Sequence, residues 1–172
     1  MNNLIKYAEL FKMLCNKYNK DELGKKVTQK IFYFFERNGI NLNLKYGIHY
    51  YGPYSAKLDD AMHVLESEDY ISIDITGATH IISSGSTEIE KSDLTEKEKE
   101  IAESVLEEFV TKSSYELEAL ATMDYVATSI LPSEASEVDI IEKFKEIKGN
   151  KFDDETIRET LKILKNLKLI KV

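Results

Sequence analysis

The sequence predicts an α+β fold that is mostly helical, and three observations lead to that prediction. Apolar side chains recur at helical spacing in several stretches, residues 70–83 have the alternation of a two-stranded hairpin, and residues 44–51 have the composition of a further short strand. The order helix, strand, turn, helix, hairpin across residues 24–83 indicates a winged-helix-like amino-terminal module with a small antiparallel hairpin. The remaining chain predicts a carboxy-terminal helical bundle packed on this module.

The elements of the amino-terminal module follow from local signals. Residues 3–18 carry one apolar stripe, and residues 25–38 are apolar on nearly every side in their second half, so both are predicted helices. Gly39 ends the second helix, and residues 44–51 are predicted as a strand that Gly52 and Pro53 terminate. Ser55 is a suitable cap for a third helix to residue 69, and strands at 70–75 and 79–83 form the hairpin.

The carboxy-terminal half begins after a small, polar stretch at about 84–92, which predicts a linker between domains 1–84 and 93–172. Thr95 with Glu98 and Ser113 with Glu116 match the capping box. They predict helices at 96–111 and 115–131, followed by helices at 137–148 and, capped by Asp153, up to residue 166.

An internal similarity links the two halves. The sequence of residues 58–73 aligns with that of residues 157–172 without a gap, and Met62 matches Leu161 while Leu65 matches Leu164. Two interpretations stay open. The carboxy-terminal half is a degenerate second winged helix, or any amphipathic helix followed by the start of a strand gives the same match.

Charge is distributed unevenly along the 172 residues, whose formal net charge is −8. Residues 1–60 carry ten Lys or Arg against six Asp or Glu, whereas residues 61–172 carry thirteen against twenty-five. The single cysteine, Cys15, falls on the apolar face of the first helix, which indicates a core thiol. No apolar run suits a signal peptide or a membrane span, so a cytoplasmic location without membrane contact is expected.

The parts of a catalytic site are missing from the sequence. It has no glycine-rich phosphate loop, no His-Glu-x-x-His and no cysteine pair. The three histidines, His49, His63 and His80, fall on different predicted elements at spacings that suit no local metal site. We therefore expect no enzymatic activity, no catalytic residue, no metal and no cofactor.

Two sets of residues are candidates for binding. The basic side chains of the amino-terminal part, which include Lys20 and Arg37, suit phosphate contacts. The candidates for nucleic-acid binding among them are Lys25, Lys26, Lys30, Lys45 and Lys57. The carboxylates of the third helix oppose DNA contact and favour a protein partner. The partner-binding candidates lie around the Tyr-Gly-Pro-Tyr turn and are His49, Tyr50, Tyr51, Tyr54 and Arg37.

Two motifs resemble those of the YwgA-like proteins, which are distantly related to the Panacea (SocA-type) antitoxin domain. They are Lys25-Lys26-x-x-Gln29-Lys30-x-x-Tyr33 and Tyr50-Tyr51-Gly52-Pro53-Tyr54-Ser55, and a weaker similarity follows at residues 117–125. Val27 and Thr28 depart from the family's helix, where a leucine is commoner. The resemblance implies helices with a small sheet, no enzymatic activity and, in the Panacea branch, toxin neutralisation by direct protein contact. Some members act as adaptors to proteases.

The sequence thus leads to a non-enzymatic, antitoxin-like or regulatory protein that acts by contacting a partner protein. The expected partner is a co-encoded toxin or a protease or regulatory component, and a homodimer is left open. The alternative is a winged-helix transcriptional regulator that binds nucleic acid.

Overall fold

A computed structural model describes residues 3–19 and 22–172. The chain is mostly helical with two small hairpins, which confirms the α+β class. In chain order the elements are α1 (Leu4–Lys17), α2 (Lys25–Arg37), β1 (Gly47–His49), β2 (Gly52–Tyr54), α3 (Ala56–Ser67), β3 (Ile71–Asp74), β4 (Ile81–Ser84), α4 (Glu96–Phe109), α5 (Ser114–Tyr125), a π-helical turn (Val126–Ile130), α6 (Glu137–Lys148) and α7 (Asp154–Asn166).

The chain divides into two compact units. The first comprises Met1–Gly47 and Ser55–Thr111, and the second comprises Ile48–Tyr54 and Lys112–Val172. These limits differ from the segments 1–84 and 93–172, because the Tyr-Gly-Pro-Tyr hairpin belongs to the second unit and α4 to the first. Within the first unit Phe109 of α4 stacks on Phe34 of α2, with ring centroids 4.1 Å apart and planes at 10°. Both rings are buried, and burying a Phe side chain contributes roughly 1.5–3 kcal/mol, which favours packing of α4 within the first unit.

The hairpin of the first unit has a defined register. Strands β3 and β4 are antiparallel, with Ile71 opposite Ser84 and Ile73 opposite Ile82. The segment before α2 joins the other edge of β4, since the Ile82 amide donates to the Leu23 carbonyl at 2.8 Å. The predicted hairpin is therefore confirmed, and its second strand is paired on both sides.

The strand predicted at 44–51 is wrong in its first half, since only Gly47–His49 is extended and paired. The alternating Ile40, Leu42 and Leu44 are fully buried, but they lie in a loop. The backbone groups of this loop form hydrogen bonds with side chains, where a strand would form them with a neighbouring strand. The Tyr7 hydroxyl donates to the Leu42 carbonyl at 2.8 Å, and a Glu36 carboxylate oxygen accepts from the Leu44 amide at 3.0 Å. Left-handed φ angles on both sides of Leu44 are incompatible with a strand.

The second unit is built from helices with local caps. The capping box at Ser113 is present as predicted, as is the one at Thr95 in the first unit, and a further box in the second unit joins Ser136 to Asp139. The helix predicted at 115–131 is α5 followed by the π-helical turn, and Leu131 and Pro132 follow it. Every residue of α5 from 117 to 124 is buried, which makes it the central helix of this unit.

Helices α3 and α7 end in the same backbone geometry. Asp69 and Lys168 both have φ of 57°, and in each case the following amide bonds five residues back, Tyr70 to Leu65 at 2.9 Å and Leu169 to Leu164 at 3.0 Å. The aligned segments then diverge, because Ile71 enters β3 whereas residues 169–172 form no strand. The helical half of the internal similarity is thus present, but the strand that follows α3 has no counterpart after α7.

Candidate partner-binding surface

The Tyr-Gly-Pro-Tyr segment forms a tight hairpin between β1 and β2 in the second unit. Gly52 adopts a φ of 88°, which L side chains rarely adopt, and Gly52 and Pro53 are both buried. The tip then presents Tyr50 and Tyr51 outward, with Tyr50 82% exposed. Their rings meet edge to face, with centroids 4.8 Å apart. The glycine and proline therefore place two exposed aromatic rings on a constrained turn.

A lysine lies over these rings. The Lys151 Nζ atom is 5.1 Å from the centroid of Tyr51, 5.9 Å from that of Tyr50 and 5.8 Å from that of Phe152. Such cation–π contacts are worth about 0.5–1 kcal/mol where solvent has access. Lys151, which lies between α6 and α7, thus contacts both rings of the hairpin tip.

A buried carboxylate on α5 anchors this lysine and a second one. Glu118, with its side chain 2% exposed, accepts from Lys148 Nζ at 2.7 Å and from Lys151 Nζ at 2.7 and 2.8 Å. Lys148, 3% exposed, also donates to the Tyr50 carbonyl at 2.9 Å. One carboxylate therefore ties the end of α6 and the following loop to the backbone of the hairpin tip.

The protonation state of Glu118 reflects two opposing effects. Burial by itself raises the pKa of its carboxyl, but the hydrogen bonds and charges of Lys148 and Lys151 outweigh that effect and the pKa is lowered. Glu118 is therefore ionised at neutral pH, and each lysine has a charged acceptor.

A third exposed ring extends the surface. Tyr115, at the start of α5, packs against Phe152 with ring centroids 4.5 Å apart, and its hydroxyl donates to the Lys151 carbonyl at 2.9 Å. Phe152 is buried against Phe144. We call the exposed set Tyr50, Tyr51, Tyr115 and Lys151 the aromatic–lysine surface.

The other partner-binding candidates have different surroundings. His49 is exposed, and its ring lies 4.8 Å from that of the half-buried Tyr54 on the paired strand. Both residues flank the tip within the second unit. Arg37 is half-buried at the end of α2 and belongs to the first unit.

The basic candidates do not form a continuous cationic face. Lys30 is 2% exposed, so its ammonium does not reach solvent. Lys25 pairs with Asp59 of α3 at 2.5 Å, and Lys57 donates to the Asn43 carbonyl at 2.8 Å. Lys26 is half-buried and Lys45 is exposed, and Lys20 lies outside the described residues.

The two motifs meet in the first unit through Gln29 and Ser55. The Gln29 amide donates to the Ser55 carbonyl at 3.0 Å and accepts from the Ser55 amide at 2.9 Å. The Ser55 hydroxyl donates to the Leu44 carbonyl and accepts from the Leu58 amide as the N-cap of α3. Gln29 and Ser55 therefore have a structural role, which is to fix the start of α3.

Sequence reasoning missed four of the residues that build the surface or support it, namely Tyr115, Glu118, Lys148 and Lys151. A signal for one of them was present, because Glu118 is a carboxylate between Leu117 and Ala119 in an otherwise apolar stretch, where an ion must find a partner. Its lysine partners are 30 and 33 residues away and follow no local rule.

Comparison with known proteins adds no family assignment: no protein-family model matches the chain, and no curated protein does. No helix among the described residues is long and apolar enough to cross a membrane. In the same part of the chain, no three His, Cys, Asp or Glu side chains are grouped so that they could hold a metal ion.

Proposed function

We propose that this chain is a non-enzymatic regulatory or antitoxin-like protein that contacts a partner protein through the aromatic–lysine surface. The observation that supports this most directly is the exposure of the Tyr50 ring. Tyr50 is 82% exposed, and the buried side chain of Lys148 donates a hydrogen bond to its carbonyl and so fixes the turn. Exposed tyrosines on rigid supports are typical of interface hot spots, because little side-chain entropy is lost when a partner covers them.

We further propose that the first unit is a winged-helix-like module, because its element order is compatible with one. Helix α1, the short edge segment at Leu23, helix α2, helix α3 and the strands β3 and β4 follow one another in that order. The helix in the recognition position is α3, and it exposes Asp60, Glu66 and Glu68 while Asp59 pairs with Lys25. Exposed carboxylates there repel phosphate, which argues against DNA contact through α3.

The experiment is a pull-down with the tagged full chain from extract of its native cells, with and without nuclease, followed by affinity measurement with the purified partner. Replacement of both tip tyrosines, Tyr50→Ala with Tyr51→Ala, is expected to weaken binding by about 30-fold or more, the equivalent of a 2 kcal/mol hot spot. The matched control is Val64→Ala with Ile75→Ala, which removes two exposed apolar side chains of the first unit.

Two results would contradict the proposal. One is a chain that retains no protein after nuclease treatment. The other is a partner whose affinity is the same for the tyrosine variant and the wild type, or falls equally in the control variant.

A further inference from the structure

Helix α7 has a basic exposed face. Arg158, Lys162 and Lys165 recur at positions i, i+4 and i+7, and all three are exposed. At 1.5 Å rise per residue they extend over about 10 Å of the helix axis on one side. Lys168 and Lys171, also exposed, continue the positive charge beyond the helix end. The result is a linear cationic array.

Neighbouring carboxylates reduce this charge without cancelling it. Lys165 pairs with Glu137 of α6, and Lys162 lies 3.7 Å from Glu159 in a pair whose two side chains are mostly exposed. Asp153 and Asp154 lie at the other end of α7. A hydrogen bond from Thr156 is the main cause that lowers the pKa of the Asp153 carboxyl, and a hydrogen bond from Lys145 is the main cause that lowers the pKa of the Asp154 carboxyl. Exposed pairs contribute about 0–1 kcal/mol, so these cations can exchange a carboxylate for an incoming anion.

The three cations also line an open groove between α6 and α7. Its volume is about 510 Å³, and its charged lining residues are Arg158, Lys162, Lys165 and Glu137. Three positive charges against one negative charge make this groove locally cationic on a chain whose net charge is negative.

We propose that this face of α7 binds the phosphate backbone of duplex nucleic acid. Lys and Arg side chains neutralise phosphates, and these three lie on one side of a single helix, so they can contact neighbouring phosphates of one backbone. Protein interfaces are typically centred on Trp, Tyr and Arg side chains, and none of the large apolar or aromatic side chains that are exposed in the described chain lies on α7, which favours nucleic acid over a protein. The groove shares no residue with the aromatic–lysine surface, and the proposal does not depend on the function proposed for that surface.

The test measures fluorescence anisotropy of a labelled duplex DNA of about 24 base pairs as the full chain is added at about 50 and about 200 mM salt. Three neutralised phosphates predict wild-type binding about 40-fold weaker at the higher salt. The variant R158Q/K162Q/K165Q is expected to lose most binding at the lower salt together with its salt dependence. The control K12Q/K91Q/K97Q removes the same charge from three exposed lysines of the first unit and is expected to retain both.

A second variant makes the test independent of lost folding. Glu137→Gln removes the carboxylate that competes for Lys165, so it is expected to bind the duplex several-fold more tightly, with all variants compared by thermal melting. Absence of wild-type binding at the lower salt, equal loss in the control, or no gain in Glu137→Gln overturns the proposal. Binding of polyglutamate with no binding of the duplex also overturns it and assigns an acidic protein partner.

Discussion

Helices α3 and α7 share their apolar pattern and their ends but have opposite surface charge. The segment 58–73 carries no Lys or Arg, and its carboxylates are Asp59, Asp60, Glu66, Glu68 and Asp69. The aligned segment 157–172 carries Glu159 alone against Arg158, Lys162, Lys165, Lys168 and Lys171. Leu65 and Leu164 are nevertheless equally buried, and both helices end in a left-handed residue. Buried positions set the helix and its end, while the charge of the exposed positions differs without changing either.

The supports behind the two helices differ as well. The first unit buries an aromatic cluster that includes Phe34 and Phe109. The second unit buries the Glu118 carboxylate with Lys148 in addition to its apolar residues. Buried ions are sensitive to the loss of one partner, so the two units are expected to respond differently to single substitutions.

The largest expected effect is at Glu118. Glu118→Ala leaves Lys148 buried without its carboxylate and should lower the free energy of unfolding by about 3–5 kcal/mol, measured by urea denaturation. The double variant Glu118→Met with Lys148→Met removes both charges and should recover most of that loss. A loss below about 1 kcal/mol in the single variant would show that the ion cluster does not stabilise the second unit.

Matched truncations of the aligned leucines test whether the two helices are equivalent in their cores. Leu65→Ala and Leu164→Ala each remove a fully buried side chain and should each destabilise by about 2–5 kcal/mol. Hydrogen exchange should then show weaker protection around α3 for the first variant and around α7 for the second. Loss confined to one variant would mean that only one of the two positions belongs to a packed core.

A smaller difference is expected at the left-handed residues. Lys168→Gly relieves a φ of 57° and should raise stability by about 1 kcal/mol, whereas Lys168→Ala removes the charge without that relief. Asp69→Gly should gain less, because Asp69 also accepts a hydrogen bond from the Ser86 hydroxyl. Thermal melts compare the three variants, and equal gains at both positions would contradict this account.

The smallest effect concerns the N-caps at low pH. Asp153 caps α7, and the Thr156 hydrogen bonds lower the pKa of its carboxyl, whereas the cap of α3 is the non-titrating Ser55. A lowered folded-state pKa gives stability that is present above the unfolded value, about 3.9, and is lost as pH falls through the lower folded value. Amide exchange in α7 should therefore accelerate below about pH 4.

The variant Asp153→Ser isolates this cap. Serine also caps helices but does not titrate, so the acid sensitivity of α7 should be smaller in the variant than in the wild type. The same acid response in both chains would assign the effect to other carboxylates, such as Glu118.

Much of the fold could be predicted because it depends on short-range rules. The capping boxes at Thr95 and Ser113 and the cap at Asp153 join residues three apart, and all formed as predicted. The loop at 40–46 was not predictable in this way, because its alternating leucines have the period of a strand. Its backbone forms hydrogen bonds with side chains that are distant in sequence, such as Tyr7, so it needs no partner strand.

The candidate site was predicted less completely. Tyr50 and Tyr51 were identified from the turn that exposes them, since Gly52 and Pro53 constrain the backbone locally. Lys30 was predicted as a surface cation, but it occupies a buried position on a helix whose next residues are all buried. The family resemblance, the partner protein and the domain limits stay predictions.

The sequence by itself determined where helices begin, where they end and which turn exposes the tyrosines, because capping and glycine geometry act over three or four residues. The tertiary structure alone decided that the tyrosine turn belongs to the second unit, that Glu118 holds two lysines, and that the array of Arg158, Lys162 and Lys165 lines a groove. These arrangements join segments 30 or more residues apart or separate helices, and their free energy comes from burial and pairing that no local pattern records.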